Sequence, residues 1–116
     1  MRENDDGAFE VDPGEEITFT VTRRQPPCVA SFDAVGWESC TPPATSGRSA
    51  TKTCRAPRSV CNRMTMTVSV SFAPEPQPDD RYTVSITGSS GGSANDTFTP
   101  PPNVNAQTFK FHVSLP

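Results

Sequence analysis

No stretch of this sequence approaches the run of about 18 to 20 apolar residues that a membrane helix needs, so direct membrane insertion is not expected. Helical patterning is equally scarce. No window keeps apolar residues at three- and four-residue spacing without prolines or runs of Thr and Ser breaking it. General bases are nearly missing, because His112 is the only histidine. Phosphate-cradling loops are absent too: Gly88 to Gly92 is a serine-rich turn with no following helix or lysine. The formal net charge of −3 gives no reason to expect a nucleic-acid partner.

What the chain does have is alternation. Ile17, Phe19 and Val21 alternate with Thr18, Thr20 and Thr22, the mark of a half-buried strand. The strongest run sets Met64, Met66, Val68, Val70 and Phe72 against Thr65, Thr67, Ser69 and Ser71. Tyr82, Val84 and Ile86 repeat the pattern, and Phe109, Phe111, Val113 and Leu115 close it. Ala8 to Val11 reads as a short first strand ended by the turn Asp12-Pro13-Gly14. Residues 29 to 39 read as an irregular strand or small hairpin bent near Asp33 to Gly36, and residues 44 to 53 as one further short strand. Gly88 to Asn105 reads as one long loop.

Prolines punctuate these segments. Most of the 13 lie in four clusters between strands: Pro26-Pro27, Pro42-Pro43, Pro74/Pro76/Pro78 and Pro100-Pro101-Pro102. They read as rigid connections. At 116 residues the chain forms a single domain, 1–116. With 33% hydrophobic residues its core is thin. The predicted class is all-β, an antiparallel sandwich of about seven strands.

Four cysteines, Cys28, Cys40, Cys54 and Cys61, are separated by 11, 13 and 6 residues. Zinc sites want thiolates or imidazoles two to four residues apart, roughly, so disulfides are the expectation and no metal site is. Four cysteines allow three connectivities. The sequential pairing, Cys28 with Cys40 and Cys54 with Cys61, is slightly preferred over the nested one, Cys28 with Cys61 and Cys40 with Cys54. Two disulfides place the domain in an oxidising compartment, extracellular or at the cell surface. Met1 is followed directly by Arg-Glu-Asn-Asp-Asp and not by a signal peptide. This leads to the expectation of a domain excised from a larger exported protein, with Met1 an added start.

Certain residues resemble those of the immunoglobulin-like superfold, which includes fibronectin type III modules. Val11-Asp12-Pro13-Gly14-Glu15 running into Ile17 to Val21 resembles the approach to the second strand of such domains. Asp80-Arg81-Tyr82-Thr83-Val84 resembles a tyrosine corner, in which a Tyr opening the penultimate strand hydrogen-bonds backbone across the preceding turn. The resemblance implies that Trp37 is the core tryptophan of the third strand. It departs at the cysteines, because none stands near Phe19 or at Val84, where an inter-sheet bridge would need them.

Candidate binding residues come from charge and aromatic placement. Arg48, Lys52, Arg55, Arg58 and Arg63 form a basic cysteine loop free of acids, suited to sulfated glycan or another acidic surface. Trp37 is a candidate sugar-stacking residue, and Asn95-Asp96-Thr97 a glycosylation acceptor. The Ser and Thr rows read as strand propensity rather than as a binding face. Asp33, Glu38, Asp79 and Asp80 show no spacing that predicts a carboxylate pair, and strand parity puts His112 on the exposed face with Lys110. No enzyme is expected. No cofactor is expected either; calcium at the acidic N-terminal segment, Asn4 to Glu15, with Asp79 and Asp80, is the one metal worth checking.

The sequence therefore reads as a non-enzymatic extracellular adhesion or recognition module of a larger surface or secreted protein. Its expected partners are a protein or glycan at a cell surface and neighbouring domains of the same chain. A carbohydrate-binding module of a secreted hydrolase and a passive spacer are the alternatives.

Overall fold

The computed structural model describes residues 1–5, 7–58, 63–72, 79–101 and 103–115. Cys61 and the prolines at 74, 76, 78 and 102 lie outside them. Alternation builds both sheets. In chain order the strands are β1 (Arg2–Glu3), β2 (Phe9–Glu10), β3 (Glu16–Arg23), β4 (Val29–Val35), β5 (Ser39–Cys40), β6 (Ala44–Ser46), β7 (Ser49–Arg55), β8 (Arg63–Ser71), β9 (Tyr82–Gly88), β10 (Ser93–Phe98) and β11 (Ala106–Ser114). Seven of these have six residues or more; they include β10, which falls in the stretch expected as loop, whereas the expected first strand is the two-residue β2. No helix is present among the described residues.

One sheet runs β1-β2-β11-β8-β4 and the other β10-β9-β3-β7-β5, with β6 also paired to β7. All pairs are antiparallel except β2 with β11. The architecture, two packed sheets, is compatible with an immunoglobulin-like sandwich. In β8 the methionines and valines at 64, 66, 68 and 70 are buried, while the Thr and Ser between them are half-exposed on the other face. Ile17, Phe19 and Val21 do the same in β3 at 0% exposure. Full burial of each such side chain contributes about 1.5 to 3 kcal/mol. Aromatic rings then bridge the sheets: Phe19 to Phe111 at 5.5 Å, Phe98 to Phe109 at 5.1 Å and Phe72 to Tyr82 at 5.2 Å.

Three charged residues, Glu15, Arg23 and Asp80, are buried inside this frame in two clusters. Glu15 closes the Asp12-Pro13-Gly14 turn, in which the Glu15 N–H donates to the Asp12 carbonyl at 3.0 Å. Its carboxylate accepts the Asp12 N–H at 2.9 Å, the Ser90 N–H at 3.2 Å and the Met1 ammonium at 3.1 Å. Burial raises its pKa, but these donors together outweigh burial and leave it below the ordinary value. In the second cluster Arg23 forks onto Asp80 at 2.8 and 3.2 Å, donates to the Pro27 carbonyl at 2.8 Å and lies over the Tyr82 ring.

Five expectations are corrected here. The long loop from Gly88 to Asn105 contains β10, which folds back on β9 through a Ser89 to Gly92 turn. Gly91 and Gly92 take φ of 111° and 84°, which lets the chain reverse there. Residues 29 to 35 form a regular strand that is shorter than the irregular one expected over 29 to 39; the expected bend falls at Gly36, whose φ of 85° and closeness to the Arg63 carbonyl exclude a side chain. The basic residues do not form one loop: Lys52 and Arg55 lie in β7 and Arg63 opens β8, while residues 44 to 53, expected as one short strand, hold β6 and most of β7.

The disulfides differ as well. One is present among the described residues, Cys40–Cys54, instead of two. Cys40 and Cys54 stand directly opposite each other across β5 and β7, which rules out the sequential pairing. A bridge closing a loop of this length contributes on the order of 3 kcal/mol. Cys28 is a buried free thiol donating to the Val21 carbonyl at 3.5 Å, and burial raises its pKa more than nearby Arg23 lowers it.

The tyrosine corner is not formed. Tyr82 opens β9, two strands before the last, and its buried hydroxyl has no hydrogen-bond partner among the described residues. The ring is held instead by Phe72, Phe98 and the Arg23 guanidinium.

Two outcomes follow from these buried groups. Because the Tyr82 hydroxyl is buried with no partner among the described residues, Tyr82→Phe should leave stability to urea unchanged or raise it by up to about 1 kcal/mol. A loss of more than that would show that the hydroxyl has a partner. Glu15 has a depressed folded pKa, so its contribution is present above the unfolded value of 4.5 and is lost as pH falls through the lower folded value. Thermal melts should therefore show stability declining as pH drops below about 4.5, with Glu15→Gln flattening that decline.

Candidate functional site

Strand β2 is only two residues long and meets β11 at Val113 and Ser114. From Ala106 to His112, β11 is paired to β8 on one side and to no described strand on the other. The other sheet ends on the same flank at β10. Between these two open edges lies a cleft of about 310 Å³. It exists because the chain spends two residues on β2 where closing the flank would take a full-length strand.

The cleft floor is apolar. Phe9 and Val84 are buried, and Ala94, Phe109 and Phe111 are half-exposed around them. The Phe9 and Phe111 rings meet at 6.2 Å, and Phe109 packs on Phe98. The rim carries two acidic residues on inward rows, Glu3 opposite Phe9 and Asp96 opposite Val84, while Lys110 borders it from the outward row of β11. Asp96 pairs with Val84 in register, which places it on the inward row of β10, and it stays solvated only because this flank is open. An apolar floor ringed by a few placed polar groups is the usual form of a ligand site.

The basic residues expected to act together are spread out. Arg48 lies in the turn between β6 and β7 and Arg55 at the far end of β7, roughly 20 Å or more away at about 3.3 Å per strand residue. Arg55 pairs with Glu16 at 3.2 Å and donates to the Gly14 carbonyl at 3.3 Å. The Arg58 side chain lies against Gly14, and its N–H donates to Glu38 at 3.1 Å. Lys52 is half-buried in mid-strand opposite Phe19, and Arg63 begins β8 in the other sheet.

A different cluster gathers at the Arg48 end. The Arg24 N–H donates to the Arg81 carbonyl at 2.9 Å, and the Arg48 carbonyl accepts the Arg23 N–H at 2.7 Å. Arg24 and Arg81, with Thr22 and Thr83, line an open depression there. Sequence reasoning missed this pair, since the two arginines are far apart in the chain and meet only through the β3–β9 register. It missed the cleft for the same reason. The glycine turn before Ser93 was the one available signal for β10.

Trp37 sits just beyond the end of β4, half-buried. Its ring meets Phe19 edge-on at 5.7 Å, and its indole N–H donates to the Thr65 carbonyl at 3.2 Å. Asn95 lies exposed on β10 opposite Ser85, within an edge strand and not in a loop. His112 is exposed on the outer face of its sheet, as its parity implies. The carboxylates do not converge: Asp80 is buried on Arg23, Glu38 holds the Arg58 N–H, and Asp33 is exposed on β4. Among the described residues no three His, Cys, Asp or Glu side chains gather as a metal ion would need; Asp6, part of the acidic N-terminal segment, lies outside them. No described helix is long and apolar enough to cross a membrane.

No protein-family model matches the chain, and neither the curated proteins nor the solved structures contain a significant match to it.

Proposed function

We propose that this chain is a non-enzymatic recognition module of immunoglobulin-like architecture, acting at an extracellular surface as one unit of a larger exported protein. Strand order supports the architecture. The pairs β3 with β7 in one sheet and β4 with β8 in the other, reached by chain crossings between sheets, follow the immunoglobulin arrangement, and β11 then flanks β8. The β9–β10 hairpin, inserted beside β3, is an elaboration of that scheme. The Cys40–Cys54 bridge is consistent with an oxidising compartment.

The observation that carries the reading is the cleft between β10 and β11. Its floor is aromatic, with the polar groups confined to the rim, so it suits an apolar side chain of a protein partner. In this reading Trp37 serves packing, because its N–H and one ring edge are engaged within the protein. Rigid sheets hold both walls of the cleft, which limits the entropy lost on binding.

The test is a binding screen of the 116-residue chain against immobilised cell-surface proteins and glycans, using variants chosen to keep the fold. Ala94→Trp fills the cleft and should weaken capture of a protein ligand by about tenfold or more, whereas Arg55→Ala with Arg58→Ala should change it little. Binding that survives Ala94→Trp but disappears when Arg24 and Arg81 become Ala would contradict the cleft and move the site to the arginine cluster.

A further inference from the structure

Strand β4 is the last strand of its sheet, laddered to β8 on one side only among the described residues. It carries the two exposed large hydrophobics, Val29 at 46% and Val35 at 61%. Free edges are ordinarily blunted by lysine, proline, a bulge or a charge pointing inward. The β10 edge has such a charge in Asp96. Strand β4 has none of these: Ala30, Phe32 and Ala34 form its inward row, and its one charge, Asp33, points outward.

Its sequence, Val-Ala-Ser-Phe-Asp-Ala-Val, reads almost identically in both directions about Phe32. We propose that β4 pairs with β4 of a second copy of this chain, antiparallel and centred on Phe32, to form a two-fold dimer with one continuous sheet. A two-fold axis makes each contact occur twice, so a strand that pairs with itself must be self-complementary. In this register Val29 lies opposite Val35 of the second copy, and Ala30 opposite Ala34. Ser31 lies opposite Asp33, a hydroxyl against a carboxylate. Both exposed valines are covered, and no like charges lie directly opposite each other; the two Asp33 carboxylates are diagonal neighbours, about 7 to 8 Å apart.

The neighbouring symmetric registers are worse. Centring on Asp33 sets the two carboxylates against each other, and centring on Ser31 sets Val29 against Asp33 and leaves Val35 bare. A slip by one residue would break the match of inner and outer faces. The pattern therefore specifies a second copy more narrowly than it specifies any other strand.

Sedimentation velocity of the 116-residue chain over a dilution series tests this, with circular dichroism to confirm that each variant is folded. The native chain should show a concentration-dependent dimer. Val29→Lys, at an exposed position, should weaken it by about tenfold or more. The double variant Val29→Lys with Val35→Glu should recover most of the loss at low salt, since the introduced charges lie opposite each other at both ends. A native chain that stays monomeric at every concentration overturns the proposal. So does a dimer that ignores Val29→Lys but dissociates on Asp96→Lys, which would place the contact at the β10–β11 flank. Equal weakness of the single and double variants would exclude the register.

Discussion

Aromatic rings reaching from one sheet to the other hold this protein together. Sheets in a sandwich stand about 10 Å apart, a gap that small side chains cannot fill alone. Here Phe19 meets Phe111, Phe72 meets Tyr82, and Phe98 meets Phe109, each pair spanning the gap. Such pairs add about 0.5 to 1.5 kcal/mol each beyond the area they bury. In a chain that is 33% hydrophobic these contacts carry much of the core. Their placement also decides what is left open. The rings crowd the centre and the β10–β11 flank, so Phe109 and Phe111 remain half-exposed where β2 stops short. The cleft is thus a by-product of how the core is built.

The polar interior complements this arrangement. Arg23 and Asp80 satisfy each other with two hydrogen bonds, and Arg23 also braces Pro27 and Tyr82, tying the end of β3 to the start of β9. Glu15 does similar work at the other pole, joining the Asp12 turn to the β9–β10 turn through Ser90. A buried ion pair adds little net stability over an apolar replacement, but removing one partner strands the other charge and is strongly destabilising. These two anchors hold the β9–β10 hairpin against β3, and the hairpin forms one wall of the cleft.

Much of the fold could be read from the residues. The period-two rows of β3, β8, β9 and β11 place their apolar faces inward because each is packed on one side only, which is the condition under which alternation is informative. Strand β10 escaped because Ser93 to Thr97 offers one apolar residue, Ala94, and its inward row includes the charge of Asp96. The alternation of β4 is obscured in the sequence because Trp37, two residues past its end at Val35, belongs to the turn beyond it. Cysteine pairing depended on the register of β5 against β7, a long-range fact with no local trace. The same holds for the candidate sites: the basic residues form a run in sequence, but a strand distributes its side chains along its length and across two faces. Arg24 and Arg81 meet only because β3 and β9 are neighbours.

Residue-resolved hydrogen exchange of the folded chain at low concentration is the most direct check on a sandwich braced at its centre and open along the β10–β11 flank. The account expects amides of β3 and β8 to be the slowest, exchanging through global unfolding, with alternate amides of β10 and of residues 106 to 112 exchanging fast. If the amides along that flank proved as slow as those of β3, the edge would be covered, and the open-sided architecture would be wrong.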